Sequence, residues 1–224
     1  THYQYRDENL ILMGEIIERL SGQPLDRFLH DAVFSPLGMT DTGFNPPASQ
    51  IDRIPPTEQD DLFRHRLVRG EVHDENAFVL GGVAGHAGLF STARDLSRLA
   101  QVYLDHGRHN GRPFVKPGSL AAFTTRTAFP PGSFRALGWD MPDPAGSFAG
   151  PLASPDALIH TGFTGTSIYI DRSRDAFVIL LTNRVNPTRT NKQIAEARIA
   201  IHTAILSAID AAARPSAAGQ MRSR

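Results

Sequence analysis

The chain has 224 residues, 41% of them hydrophobic, which suits one packed core. Basic and acidic side chains both number 23, so no basic field exists to recruit nucleic acid or an anionic membrane surface. Cysteine is absent, which removes disulfides, thiol catalysis and cysteine-ligated zinc.

No apolar run approaches the ~20 residues of a membrane-spanning helix. The chain opens at Thr1 without a methionine, so its natural start is expected upstream and no export signal is readable. In chain order, Asp7 or Glu8 can cap a helix over residues 9–21, where Leu10, Met13, Ile17 and Leu20 recur at helical spacing before Gly22. Pro24 opens a second helix with Leu25, Phe28, Leu29 and Ala32 on one face, closed by the turn Ser35-Pro36-Leu37-Gly38-Met39. Residues 40–80 show no sustained period and read as a long ordered excursion with little regular structure. After the glycine-dense run from Gly81 to Gly88, Thr92 and Asp95 start a third helix that carries Leu96, Leu99, Ala100 and Tyr103 to Gly107. A short helix is expected near Gly118–Arg126.

Beyond this point the period changes. Ala136–Met141 reads as a strand holding Trp139. The runs Leu158–Asp171 and Ala176–Asn183 are β-rich and joined by a turn at Arg172–Asp175. Residues 191–213 form an amphipathic helix with Ile194, Ala197, Ile201, Ile205 and Ile209 on one face. Residues 214–224 are small and polar, and disorder is expected there. The fold class is therefore α+β: residues 1–135 supply a mostly helical lobe with loops, and residues 136–213 supply antiparallel strands and a closing helix.

His160-Thr161-Gly162-Phe163-Thr164-Gly165-Thr166 opens a β run, where a hydroxyl and a glycine let a substrate backbone approach and the strand offers N–H donors. Alone it reads more readily as a glycine-rich bend between strands. Tyr5-Arg6-Asp7 precedes the first helix; a phenol there can act as a base if a cation lowers its pKa, and Asp7 reads equally as a cap. The run Gly82–Gly88 lacks a Gly-Lys-Ser/Thr ending, and His73, His86, His106 and His109 match no zinc spacing, so neither a phosphate loop nor a metal or other cofactor is expected. Val72-His73-Asp74-Glu75-Asn76 reads first as capping and loop hydrogen bonds, with a place near the substrate mouth as the alternative.

Together and in order, Tyr5-Arg6-Asp7, Pro36-Leu37-Gly38-Met39, Gly81 to Thr92 with Asp95-Leu96, Leu137-Gly138-Trp139, His160-Thr161-Gly162 and Leu180-Leu181-Thr182-Asn183-Arg184 resemble the serine β-lactamase-related family. That family includes class C β-lactamases, D-alanyl-D-alanine carboxypeptidases and serine esterases. The resemblance runs from Tyr5 to about Ala213 and implies a β-lactamase/transpeptidase-like fold. It also implies a serine, activated by a lysine three residues on, that forms an acyl-enzyme. Tyr5 and Asp7 then match the proton-relay motif. His160, Thr161 and Gly162 match the strand that lines the substrate, and Phe163 matches the backbone donor of the oxyanion hole. The implied partner is a small-molecule or peptidoglycan-type substrate in a periplasmic or extracellular, bacterial setting.

One departure is plain. The lysines are Lys116 and Lys192, with Pro113 and Arg189 three residues before them, so the chain contains no Ser-x-x-Lys. The expectation is an incomplete domain lacking its amino-terminal, nucleophile-bearing segment and inactive alone. A missing segment supplied as a separate chain, and a non-catalytic binding module that keeps the cleft, remain open alternatives.

Overall fold

A computed structural model describes residues 4–213 of the chain; the expected disordered tail lies outside the described residues. Helix α1 spans Glu8–Ser21 and stops where Gly22 turns left-handed and donates its N–H to Glu18 O. Asp7 adopts helical dihedrals and makes no side-chain cap bond, which corrects its reading as a cap. Its carbonyl accepts from the Leu10 and Ile11 N–H groups, while its carboxylate turns to Tyr5. The apolar face expected of α1 is also not buried: Leu10, Met13 and Leu20 are exposed, and Gly14 is the buried α1 residue. The helix docks by backbone approach instead. A Cβ on Gly85 would stand 2.0 Å from the Leu10 carbonyl oxygen, so the glycine-dense run is the surface on which α1 rests.

Helix α2 (Leu25–Leu29) continues through a π-helical turn (His30–Phe34) into α3 (Ser35–Leu37). Phe34, Leu37 and Met39 form one buried cluster with Val102. The excursion over residues 40–80 holds more regular structure than its pattern suggests: β1 (Gly43–Phe44), a 3-10 turn (Ala48–Arg53), a β2/β3 hairpin (Glu58–Asp60 and Arg66–Val68) and α4 (Glu75–Val79). Polar bonds build that hairpin. Buried Asp60 accepts from the N–H groups of Leu62, Phe63 and Arg64 and pairs with the buried Arg64 guanidinium. Because charge rather than apolar alternation closes the turn, hydrophobic periodicity could not reveal it.

Strand β4 (Leu89–Phe90) pairs with β1, and α5 (Ala93–Leu104) starts as expected, with Thr92 Oγ1 accepting from Asp95 N–H. A two-strand ribbon, β5 (Arg108–His109) with β6 (Arg112–Pro113), leads to α6 (Pro117–Thr124). The single strand expected over Ala136–Met141 is a tight hairpin, β7 (Arg135–Ala136) and β8 (Trp139–Asp140), turned at Leu137-Gly138. Strands β9 (Leu158–Thr161), β10 (Ser167–Asp171) and β11 (Ala176–Leu180) complete an antiparallel sheet in the order β11-β10-β9-β8-β7. Helix α7 (Ile194–Ala213) closes the chain.

The sheet lies between two helices. Leu158 and Ile170 face Ala100 and Leu104 of α5, while Ile159, Tyr169 and Val178 face Leu206 of α7. Adjacent strand residues thus bury opposite ways, as the two-residue period of a strand demands. The stripe of α7 that buries most deeply is Arg198, His202 and Leu206, one position round from the isoleucine face expected, with Ile205 and Ile209 packing beside it. Gly85→Ala is expected to cost about 1–3 kcal/mol, the usual range for forcing atoms into a filled site. Gly43→Ala, where an added Cβ meets nothing within 4 Å, should leave the urea midpoint nearly unchanged.

Candidate active site

Strand β9 ends in the run that the sequence singles out. His160 pairs with Ile168 and Thr161 with Ser167, so the two strands diverge at Gly162 into a five-residue turn. His160 lies on the α5 side, 6.3 Å from the Trp139 ring, which itself packs edge-on against Tyr103 at 5.3 Å. Edge-to-face contacts of this kind contribute about 0.5–1.5 kcal/mol each and favour this orientation of the imidazole.

The turn is closed by Gly162 N–H donating to Thr166 O at 2.8 Å and Gly165 N–H to Gly162 O at 3.2 Å. A Cβ on Gly162 would lie 2.3 Å from Thr166 Oγ1, so any side chain there would force the Thr166 hydroxyl to move. Residues just beyond β11 grip the turn from one side. Arg184 donates its N–H to Thr164 O and its Nε to Phe163 O, both at 2.8 Å, and Thr182 Oγ1 donates to Gly165 O at 2.6 Å. Helix α7 grips it from another, where Arg198 Nη2 donates to Gly162 O and Thr166 O at 2.7 Å each. The Phe163 and Thr164 N–H groups have no hydrogen-bond partner among the described residues.

The Phe163 ring is clamped between His73, stacked at 5.8 Å and 20°, and the Arg184 guanidinium, 4.1 Å from its centroid. His73 Nε2 bonds Glu58 at 2.7 Å. Glu58 is buried, and Arg189 reaches both its oxygens at 3.0 Å or less while also pairing with Glu75. Burial alone would raise the Glu58 pKa, but bonds from Arg189 and His73 hold it down at about 2. The excursion is thereby bolted to the segment after β11, and His73 is set against the turn. Asp74 caps α4 through Ala77 N–H and meets His86 Nε2 at 2.9 Å. The capping reading of the His73–Asn76 stretch therefore holds, and His73 stands beside Phe163 as well.

Tyr5 and Asp7 form the other group: the Tyr5 hydroxyl donates to Asp7 Oδ1 at 2.9 Å at the head of α1, where the ring is exposed. Arg6 pairs with Glu8 at 3.7 Å on the surface. The geometry thus joins Tyr5 to Asp7 and keeps His160, Thr161, Gly162 and Phe163 as one contiguous run.

The β-lactamase family model matches residues 1–203 of this chain. The chain belongs to the β-lactamase family. Among curated relatives it is 35% identical over 195 residues to the Escherichia coli K12 protein described as "Putative D-alanyl-D-alanine carboxypeptidase", an alignment that covers 80% of this chain and 44% of that protein. The chain thus spans less than half the length of the curated relatives it matches. Among solved structures, a β-lactamase from Sulfitobacter superposes with a TM-score of 0.67 at 20% identity, covering 93% of this chain and 60% of the other. A β-lactamase from Mycobacterium bovis gives 0.66 at 20% identity, covering 93% and 65%. The fold is that of β-lactamases and transpeptidases, as the ordered motifs imply.

Within this β-lactamase-family chain, Arg198, Arg189 and Glu58 around the candidate site are residues that motif reading passes over. A single sequence carries no signal for them, because each looks like an ordinary surface charge until the turn lies beside it. The charge of His160 is set locally. His160 is exposed, yet the protein gathered around it lowers its pKa below 6.5; Asp140 raises it, and Arg135, paired with Asp140 at 2.6 Å, lowers it. The shift favours the neutral imidazole. Titration followed by NMR should give His160 a midpoint below 6.5. Asp140→Asn should push that midpoint lower still, and Arg135→Gln should move it up.

Proposed function

We propose that this chain carries the substrate strand and tyrosine motif of a serine hydrolase that works through an acyl-enzyme, with the Ser-x-x-Lys nucleophile supplied by polypeptide outside these 224 residues. The substrate is an ester, a D-amino-acid peptide or a β-lactam. The observation that carries the reading is the unpartnered Phe163 N–H on a turn whose neighbouring carbonyls are all held. A rigid donor with nothing to bond is what a developing oxyanion needs. In this reading the serine oxygen attacks the substrate carbonyl, and its proton passes to the lysine–Tyr5 relay and on to the leaving group. The negative oxygen is met by the N–H groups of Phe163 and of the serine. Asp7 orients the Tyr5 hydroxyl. The exposed Leu12, Met13, Ile16 and Leu20 of α1 support further polypeptide packing next to Tyr5.

A neutral His160 offers no fixed cation for the carboxylate of a penicillin or a D-alanyl peptide, so uncharged esters are the favoured substrates. Fluorophosphonate or fluorescent penicillin followed by intact mass should show no stoichiometric adduct on the 224-residue chain, and one adduct per chain once the Ser-x-x-Lys polypeptide is joined to it. A clean serine adduct on the chain alone would sink the proposal. In the joined protein, short p-nitrophenyl esters should turn over faster than nitrocefin. His160→Lys should move that ratio toward nitrocefin by no more than about 1 kcal/mol, the scale of a partly exposed ion pair.

A further inference from the structure

Arg198 takes no direct part in acyl transfer, yet its charge sits in an unusual place. It is 5% exposed, lies on the buried stripe of α7, and is paired with no carboxylate among the described residues. Its Nε has no hydrogen-bond partner among the described residues. The carbonyls of Gly162 and Thr166, each 2.7 Å away, take its charge. Burial and the nearby Arg184 disfavour the cation, but a guanidinium stays protonated in proteins. If α7 needed only to cover the sheet at this position, an apolar side chain would do so more cheaply.

A trans peptide is planar, with its C=O and N–H pointing opposite ways. The carbonyl of Gly162 and the N–H of Phe163 belong to the same peptide unit. Holding that carbonyl against α7 therefore aims the Phe163 N–H away from α7, where it has no hydrogen-bond partner among the described residues. The same carbonyl accepts from both Arg198 and Gly165 N–H, and hydrogen bonds to a carbonyl polarise its peptide and strengthen its N–H as a donor. We infer that Arg198 is a positioning residue: from behind the turn, it orients and polarises the Phe163 N–H that meets the substrate's developing oxyanion. This rests on the reading of Phe163 given above.

Two measurements test it. In the full 224-residue chain, Arg198→Met should move the Gly162 carbonyl-carbon and Phe163 amide resonances upfield while β10 and β11 resonances stay in place, and Arg198→Lys should restore most of the shift. In the joined, acylating protein, Arg198→Met should lower kcat for a p-nitrophenyl ester by up to about 10²-fold with KM nearly unchanged, the size of effect that slight misplacement of a reacting group produces. Arg198→Lys should recover part of the loss. If Arg198→Met destabilises the chain too far to study, Arg198→Gln serves in both experiments. Unchanged Gly162 and Phe163 resonances in Arg198→Met overturn the inference, as does a kcat equal to wild type in Arg198→Met or in the Arg198→Gln that stands in for it. A wild-type joined protein that never acylates overturns the proposed function instead, and the resonances alone then decide whether Arg198 sets the peptide's orientation.

Discussion

A guanidinium buried between a helix and a turn, with carbonyl oxygens in place of a carboxylate, sits at the junction of everything else in this fold. Arg198 joins α7 to the Gly162–Thr166 turn, and α7 in turn covers one face of the sheet through Leu206, Ile205 and Ile209. Stripping water from such a cation costs several kcal/mol, so the contact persists only because the surrounding structure over-determines it. That over-determination is visible. Arg184 and Thr182 seize the same turn from beyond β11, and Thr166 closes it from within. The turn is thus held from outside by partners on two separate segments, and among the described residues the Phe163 N–H, on the side away from α7, is left without a partner, as is the Thr164 N–H.

A second, conventional ion pair does the complementary job. Glu58 and Arg189 are separated by 131 positions in sequence but bonded at 2.7 Å, so the irregular excursion is locked to the segment after β11. Through His73 the lock reaches Phe163 itself. Unlike Arg198, this pair neutralises its own charge, and Glu58 is ionised at any pH well above its pKa of about 2. The Asp171 carboxylate, also held at about 2, does the same at the opposite end of β10. Burial alone would raise it, but Ser154, Ser173, Arg174 and Tyr169 bond it. For both groups the unfolded-state pKa is the higher one, so the stability they give is complete near neutral pH and is lost as pH falls below about 4. His202 acts earlier. Its pKa is lowered by burial, so the unfolded chain takes up a proton that the fold resists, and stability declines as pH drops below 6.5.

Much of the architecture was legible in the residues. The caps of α5, the sheet's later strands and the ordered motifs all follow from local chemistry: a threonine before a helix, β-branched runs, a glycine between strands. The elements that were not legible share a cause. The β2/β3 hairpin is closed by Asp60 and Arg64 rather than by apolar alternation. Helix α1 rests on Gly85 rather than on its leucines. Helix α7 turns Arg198 and His202 inward because the turn's carbonyls and the helix's own Arg198 carbonyl receive them. A hydrophobic-periodicity reading assigns charged residues to the surface, and it fails where a polar partner, distant in sequence, makes burial tolerable. The same holds at the site. His160 to Phe163 could be read from their motif, whereas the groups that hold them could not.

Amide hydrogen exchange of the 224-residue chain reads the turn residue by residue. If the turn is a preformed scaffold that presents a free Phe163 donor, the Gly162 and Arg184 amides, bonded to Thr166 O and Thr164 O, should be strongly protected while the Phe163 amide exchanges near the unprotected rate. Uniformly fast exchange across residues 162–166 would mean that the turn is not held, and strong protection at Phe163 would mean that its N–H is already spent; either result would contradict the account.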